Sequence, residues 1–137
     1  MIKKHFTEVP STPITREGFK GMNARFALIA EDGCPNYAMR IMEFEPGGHT
    51  SLHAHEEEHE FYFLDGEPAY ADCKGNETLL KPGDMIYVPS NEPHQLKCRG
   101  PWKSPADGRP ESDVRSPEFG QGGTRYGGAE IAAIRNS

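Results

Sequence analysis

The chain has 137 residues and a formal net charge of −6, from 15 basic and 21 acidic residues. This length is typical of one domain. An acidic chain without a basic patch is not expected to bind nucleic acid or an anionic membrane surface. No stretch approaches the roughly 20 apolar residues of a membrane span, and the polar N-terminal residues show no signal peptide. The three scattered cysteines, Cys34, Cys73 and Cys98, disfavour a disulfide scaffold and predict a reducing, cytoplasmic location.

Glycine and proline are frequent, with 15 and 12 residues respectively. Such residues interrupt the chain too often for long helices and favour short strands joined by turns. No helical pattern of convincing length is present. We therefore predict an all-β single domain over residues 1–137, folded as a sandwich or a barrel.

Short β-prone runs, bounded by turn residues, follow one another along the chain. We predict strands over residues 24–30, 37–45, 60–65, 68–73, 77–81, 84–88, 94–98 and 128–134. Pro46-Gly47-Gly48 closes the second run, and Lys74-Gly75-Asn76 indicates a hairpin between the fourth and the fifth. The pattern predicts a sheet built mostly from neighbouring short strands.

A long segment rich in glycine and proline, residues 99–123, separates the last two runs. Loops of this length in compact domains are usually functional or disordered. Two interpretations stay open at this point. The segment is a surface excursion or dimer arm, or it is a lid that covers a pocket with Trp102 and Phe119.

Histidines are concentrated just before the third predicted strand. His53 and His55 are two residues apart and would face the same side of a strand. His59 shares their parity, whereas Glu58 and Glu60 have the opposite parity and should face outward. Neutral imidazole is a good ligand for Zn, Cu, Fe and Ni, so the cluster indicates a metal site. The alternative is a solvated loop rich in histidine and glutamate.

A second part of the site is predicted downstream. His94 follows the turn Pro-Ser-Asn-Glu-Pro at the start of a predicted strand. Alone it indicates little, since a lone histidine there is commonly structural or exposed. A hairpin between the two segments could bring it across from His53 and His55. We leave His49, as a loop histidine, and the terminal His5 outside the site.

The spacing of these residues resembles the two motifs of the cupin superfamily of β-barrels. The first motif, G-x5-H-x-H-x3-E-x6-G, matches at Gly47, His53, His55, position 59 and Gly66. The second, G-x5-P-x-G-x2-H-x3-N, matches at Gly83, Pro89 and His94. The resemblance implies a cupin barrel, also described as a double-stranded β-helix or jelly roll, over most of residues 24–98 and 128–134. It also implies a homodimer formed through sheet edges, with residues 1–23 as an N-terminal arm or edge strand.

Three positions depart from the cupin motifs. His59 replaces the usual glutamate, which resembles the small cupins whose metal has four histidine ligands. Asn91 replaces a glycine, although asparagine tolerates a positive φ, and Cys98 replaces the final asparagine. The resemblance thus implies one divalent transition metal ion (Fe, Mn, Cu, Ni or Zn), with all its protein ligands histidines: His53, His55, His59 and His94. The rival third ligand is Glu58 or Glu60.

Four neutral ligands would leave the charge of a divalent ion uncompensated, which favours an anionic ligand such as a carboxylate or enolate. If the ion is six-coordinate, two positions are open for a bidentate substrate, or for a substrate and dioxygen. The resemblance implies metal-dependent chemistry on a small oxygenated organic molecule, with an oxygenase-like (dioxygenase-type oxidoreductase) reaction as the leading hypothesis. The alternatives are a non-enzymatic small-molecule binding or sensor module and an oxygen-independent isomerase or lyase, because the fold alone does not choose between them.

Other residues are candidates for the pocket. Arg40 alternates with apolar residues of its strand, so it could face the barrel and bind a substrate carboxylate, or it could lie at the rim in a surface salt bridge. Cys98 shares parity with His94 and could line the cavity, or be an inert buried thiol. Three tyrosines could supply a general acid or simply pack on strands: Tyr37, Tyr62 and Tyr87. Five residues are assigned to the core: Phe61, Phe63, Ile86, Val88 and Leu96.

Overall fold

The computed structural model of this chain describes residues 1–100 and the backbone of residues 128–135. Apart from two short 3₁₀ turns, at Phe6–Glu8 and Ala30–Asp32, every regular element described is a β-strand. The strands are β1 (Thr12–Pro13), β2 (Lys20–Leu28), β3 (Tyr37–His49), β4 (His59–Gly66), β5 (Pro68–Ala71), β6 (Glu77–Leu79), β7 (Met85–Val88), β8 (Gln95–Cys98) and β9 (Gly128–Arg135). The all-β prediction is confirmed. Within the described part of the chain, no helix is long and apolar enough to cross a membrane.

The strands form one sheet in the order β6-β5-β8-β3-β9-β4-β7, and β2 pairs with β3 and with β1. β3 is the longest strand. Its first part lies between β2 and β9, while its last residue, His49, pairs with Lys97 of β8. β9 lies between β3 and β4, so the end of the chain joins two strands that are separated in sequence. This order brings the strands that flank the histidine segment around a common interior.

β3 continues past the predicted end at Pro46, so that boundary was wrong. Residues 45–48 bulge out of the β2–β3 ladder, because Lys20 pairs with His49 and Met22 already pairs with Phe44. Gly47 has φ +80°, and a Cβ on Gly48 would lie only 2.5 Å from the carbonyl oxygen of Gly21. Glycine allows this close approach of two backbones, so the strand bends here instead of ending.

The remaining predicted runs agree with observed strands within about two residues at most ends. The hairpin is confirmed, since β5 pairs with β6 and Asp72 accepts hydrogen bonds from the backbone N–H groups of Lys74 and Asn76. In the N-terminal segment, β1 pairs with β2 of the same chain, whereas its pairing with a second copy stays a prediction. The predicted loop over residues 99–123 lies, from residue 101 onward, outside the described residues.

The inner face of the sheet carries the hydrophobic core. Phe61, Phe63, Val88 and Leu96 are each at most 3% exposed, and Ile86 packs against them. The core assignments made from the sequence are therefore confirmed. The buried cluster also includes Met22, Met42, Phe44 and Cys98.

The outer face of β2 and β3 contains a buried ion pair that the sequence did not reveal. Glu43 is 1% exposed, and its carboxylate accepts hydrogen bonds from Nε of Arg25 at 2.7 Å and from Oγ of Ser11 at 2.5 Å. Nη1 of Arg25 also donates to the carbonyl oxygen of Val9 at 2.6 Å. The pair thus fastens the N-terminal segment across β2 and β3.

Replacing Glu43 by glutamine should destabilise the protein by about 3 kcal/mol, because it leaves the half-buried guanidinium of Arg25 without its counter-charge. Urea unfolding followed by circular dichroism measures this loss. The matched control is Asp32→Asn, which breaks the more exposed ion pair with Lys4 and should change the unfolding free energy much less. Equal effects in the two variants would contradict the structural role given to Glu43.

Candidate metal centre

The two histidine segments are joined by their own backbones. His53 and His94 form an isolated antiparallel bridge, with N–H to carbonyl distances of 3.1 Å and 2.9 Å. Next to it, the N–H of Thr50 donates to the carbonyl of Leu96 at 2.9 Å. The N–H of Leu96 in turn donates to Oγ1 of Thr50 at 3.0 Å. The predicted approach of His94 to His53 is therefore confirmed.

The other two histidines are placed by a turn and a strand. The N–H of Asn91 donates to the carbonyl of His55 at 2.7 Å, and Asn91 has φ +63°, as the motif comparison anticipated. His59 is the first residue of β4, where it pairs with Val88. Because residues 54–58 are not strand, parity along one strand does not explain why the rings meet. The irregular backbone of residues 54–58 instead turns the rings of His55 and His59 toward those of His53 and His94.

The four rings surround one point. One ring nitrogen from each of His53, His55, His59 and His94 lies within 4.8 Å of the other three. Nitrogens bound to a single ion at about 2.1 Å are at most about 4.2 Å apart. The widest spacing in the cluster would therefore have to shorten by about 0.6 Å for all four rings to bind one ion. Glu58 and Glu60 do not belong to this group, in agreement with their predicted outward direction.

Hydrogen bonds at the far side of two rings determine which nitrogen faces inward. Nδ1 of His53 contacts the carbonyl oxygen of Ser51 at 2.9 Å, and Nδ1 of His94 contacts that of Glu92 at 2.7 Å. A carbonyl oxygen only accepts, so each Nδ1 carries the proton and each Nε2 keeps its lone pair. This is the usual arrangement of metal-binding histidines.

The other two rings approach each other with their Nε2 atoms 2.6 Å apart. Two lone pairs repel at this distance unless a proton or a cation lies between them. Nδ1 of His55 and Nδ1 of His59 are buried without a hydrogen-bond partner, although the carboxylate of Glu57 lies 3.3 Å from Nδ1 of His55. The donor set thus fits a divalent metal ion, which would relieve the conflict between the facing nitrogens.

Burial favours the neutral form of the rings. It lowers the pKa of His59 from its ordinary 6.5 to about 3, with further lowering by His55, His94, Arg40 and His53. Burial also lowers the pKa of His94, although the carbonyl of Glu92 opposes the shift. Neutral imidazole is the form that binds a metal, so the site is prepared for one at neutral pH.

The rings open into a cavity of about 680 Å³, a typical size for a small-molecule site. Its apolar walls include Met22, Phe26, Met42 and Phe61. Arg40 faces this cavity, which is one of the two orientations that the sequence left open, and its guanidinium lies 5.7 Å from the ring centre of Phe26. Nε of Arg40 is buried and has no hydrogen-bond partner.

The remaining candidates lie away from the rings. Cys98 is buried in the core, its Sγ 3.7 Å from the carbonyl oxygen of Gly100, and it does not line the cavity. The three tyrosines are exposed, and the hydroxyl of Tyr87 donates to Glu58. His49 and His5 make local contacts outside the cluster, with Thr50 and Thr7 respectively.

Comparison with known proteins supports the fold and the family. A family model for the cupin domain matches residues 40–103. A relative named oxalate-binding protein, from Thermotoga maritima, is 33% identical over 101 residues, which cover 67% of this chain and 83% of the relative. The chain belongs to the cupin superfamily.

Solved structures resemble this cupin over nearly its whole length. A polyketide cyclase from Streptomyces resistomycificus aligns with a TM-score of 0.70 and 23% identity, over 98% of this chain and 78% of the other. A predicted oxalate decarboxylase from Thermotoga maritima aligns with a TM-score of 0.67 and 20% identity, over 98% and 97%. Ectoine synthase from P. lautus gives 0.65 and 17%, over 98% and 78%. At these identities the likeness shows the fold alone.

Several residues of the cavity were not predicted from the sequence. Arg16, Glu17 and Phe19 reach it from the turn between β1 and β2, and Glu57 reaches it from the loop between the histidines. This turn matches no known motif, so its sequence did not identify it as part of the cavity. Glu57 lies between His55 and His59 in the sequence, and this position could have indicated that its side chain is near the site.

The lowered pKa of His59 predicts how the metal-free protein responds to acid. Between the ordinary 6.5 and about 3, the unfolded chain binds a proton that the folded chain does not. The contribution of His59 to the free energy of unfolding is therefore fully present above about pH 6.5. As the pH falls below about 6.5, this free energy decreases by up to about 1.4 kcal/mol per pH unit for one such group. His94 acts in the same direction.

Urea unfolding in EDTA between about pH 7 and pH 5.5 measures this slope. His59→Asn should make it shallower, whereas His5→Asn, which removes an exposed histidine, should leave it as in the wild type. A slope that is identical in His59→Asn and wild type would show that His59 does not carry the effect.

Proposed function

We propose that this chain is a metal-dependent cupin that takes a small, oxygenated, anionic molecule at the four-histidine site. The observation that carries the proposal is a buried guanidinium nitrogen without a partner, on Arg40, beside four converging imidazoles. A bound divalent ion would supply a Lewis-acid centre whose charge the neutral ligands do not reduce. His53, His55, His59 and His94 would hold it.

Arg40 gives the cavity its preference for anions. Burying a guanidinium without a hydrogen-bond acceptor raises the free energy of the folded protein. A carboxylate would remove this cost by accepting two parallel hydrogen bonds from Arg40. The apolar walls exclude water and strengthen this interaction. The ligand would thus be oriented with an anionic oxygen toward Arg40 and the rest of the molecule against Phe26, Met42 and Phe61.

The leading reaction is oxygenase-like. Among the described residues that line the cavity, the only titratable side chains are the four histidines, Arg16, Arg40, Glu17 and Glu57. With no tyrosine or cysteine among these residues, Glu17 and Glu57 are the candidate acid–base groups beside a bound metal, and Arg40 would orient the anion. Fe, Mn, Cu, Ni and Zn are the candidate ions.

A binding module without turnover is the second candidate function, and the relative named oxalate-binding protein favours it. Titration with oxalate and measurement of oxygen uptake separate the two. Binding without oxygen consumption across 2-oxo acids, diketones and phenolic acids supports the binding module. Oxygen-independent turnover of a ligand supports the isomerase or lyase alternative.

His94→Ala should lower the retained divalent transition metal well below one ion per chain, because it leaves three of the four protein ligands and weakens binding. Metal content after loading and desalting, measured by mass spectrometry, checks this. His49→Ala is the matched control, since His49 lies just upstream and outside the cluster, and it should keep one ion per chain. A wild-type protein that retains no metal would overturn the proposed function.

Arg40→Met should weaken the binding of oxalate to the metal-loaded protein about tenfold or more, because the anion loses its buried cationic partner. Isothermal titration gives the dissociation constants, and metal content should stay at the wild-type value. Arg40→Lys should recover part of the affinity, since it restores the charge without the planar fork. Unchanged affinity in Arg40→Met would remove Arg40 from the ligand site.

A further inference from the structure

A second cation stands at the mouth of the cavity. Arg16 lines it together with Arg40 but is exposed to solvent, since it lies in the turn between β1 and β2. This turn is closed by a hydrogen bond from the N–H of Phe19 to the carbonyl of Arg16, at 3.1 Å. The two guanidiniums are therefore carried by different elements, one at the inner wall and one at the entrance.

The turn is held against the histidine loop, so Arg16 has a defined place. Gly18 has φ +82°, and a Cβ built on it would lie 2.8 Å from Cβ of Ser51, whose carbonyl holds the ring of His53. The ring centre of Phe19 is 6.1 Å from that of His53. Packing thus fixes the turn that carries Arg16 beside the proposed metal site.

The charges of the cavity do not balance once a divalent ion is present. The described lining residues contribute two cations, Arg16 and Arg40, and two carboxylates, Glu17 and Glu57, while the histidines are neutral. A divalent ion would then add two uncompensated positive charges. A monoanionic ligand leaves one of these charges, whereas a dianion removes both. Burial lowers the pKa of Arg40, the charge of Arg16 lowers it further, and the charge of Glu57 opposes the shift.

We propose that the natural ligand of this cavity is a small dianion, such as a dicarboxylate. One end would meet the metal and Arg40, and a second anionic group would meet Arg16 at the mouth. This inference rests on the proposed function, because it assumes the metal-loaded site. It goes further in naming the charge class of the ligand and in making Arg16 a specificity-determining residue.

Two 2-oxo acids of nearly equal size test the dianion directly. 2-Oxoglutarate and 2-oxovalerate share the same chelating head and differ at the far end, where one has a carboxylate and the other a methyl group. The metal-loaded wild type should bind 2-oxoglutarate about tenfold more tightly in isothermal titration, since only this acid offers Arg16 an anionic partner.

Arg16→Gln should reduce the preference to about twofold or less by weakening 2-oxoglutarate alone, and Arg16→Lys should retain much of it. Arg16 is exposed, so these variants should fold. Lys81→Gln, which removes an exposed cation outside the cavity lining, is the charge-matched control and should keep the wild-type preference.

Equal binding of the two acids to the wild type would overturn the dianion proposal. Binding of oxalate without either 2-oxo acid would overturn the placement of a second anionic group at Arg16, because oxalate is itself a dianion. A preference that persists in Arg16→Gln would overturn the role of Arg16. Failure of the proposed function is recognised differently: the protein then takes up no metal, or the metal-loaded protein binds neither acid nor oxalate.

Discussion

The backbone bridge between His53 and His94 is the contact on which the candidate site depends. It joins a loop and a strand that are about 40 residues apart in the chain and fixes the distance between their side chains. Hydrogen bonds on either side, from Thr50 and Asn91, extend the attachment. Because backbone pairing fixes direction as well as distance, the fold itself brings the imidazoles together, which lowers the entropy cost of ordering them around an ion.

The cavity also carries positive charge, on Arg40, beside neutral imidazoles. Burial keeps the rings of His59 and His94 neutral, so the ligand set itself brings no negative charge to an ion. Arg40 stands in the same apolar space with an unpartnered nitrogen. Positive charge without enough acceptors is costly in a low-dielectric interior. An anionic ligand would compensate both the proposed divalent ion and the guanidinium of Arg40. The metal proposal and the ligand proposal therefore rest on the same electrostatic argument.

Much of the fold and the site was predictable from local sequence. Short runs of β-prone residues between turn residues located most strands, and the spacing of His53, His55 and His59 selected the candidate ligands. The bend at Gly47 and Gly48 was mistaken for a strand end, because a glycine pair has the same local signature in either case. Parity predicted that His53, His55 and His59 would face the same side, and their rings do lie together, although the loop between them is not a strand.

By itself, the sequence determined the class of the fold and the ligand candidates, since these follow from local periodicity and motif spacing. It left two orientations open for Arg40, and the structure places this residue in the cavity lining. Only the tertiary structure decided that Arg25 and Glu43 pair behind the sheet, that Cys98 belongs to the core, and that the turn carrying Arg16 closes one wall of the cavity. These contacts join segments distant in the chain. Their register depends on which strands pair and on how the turn packs against Ser51, and no local pattern encodes either.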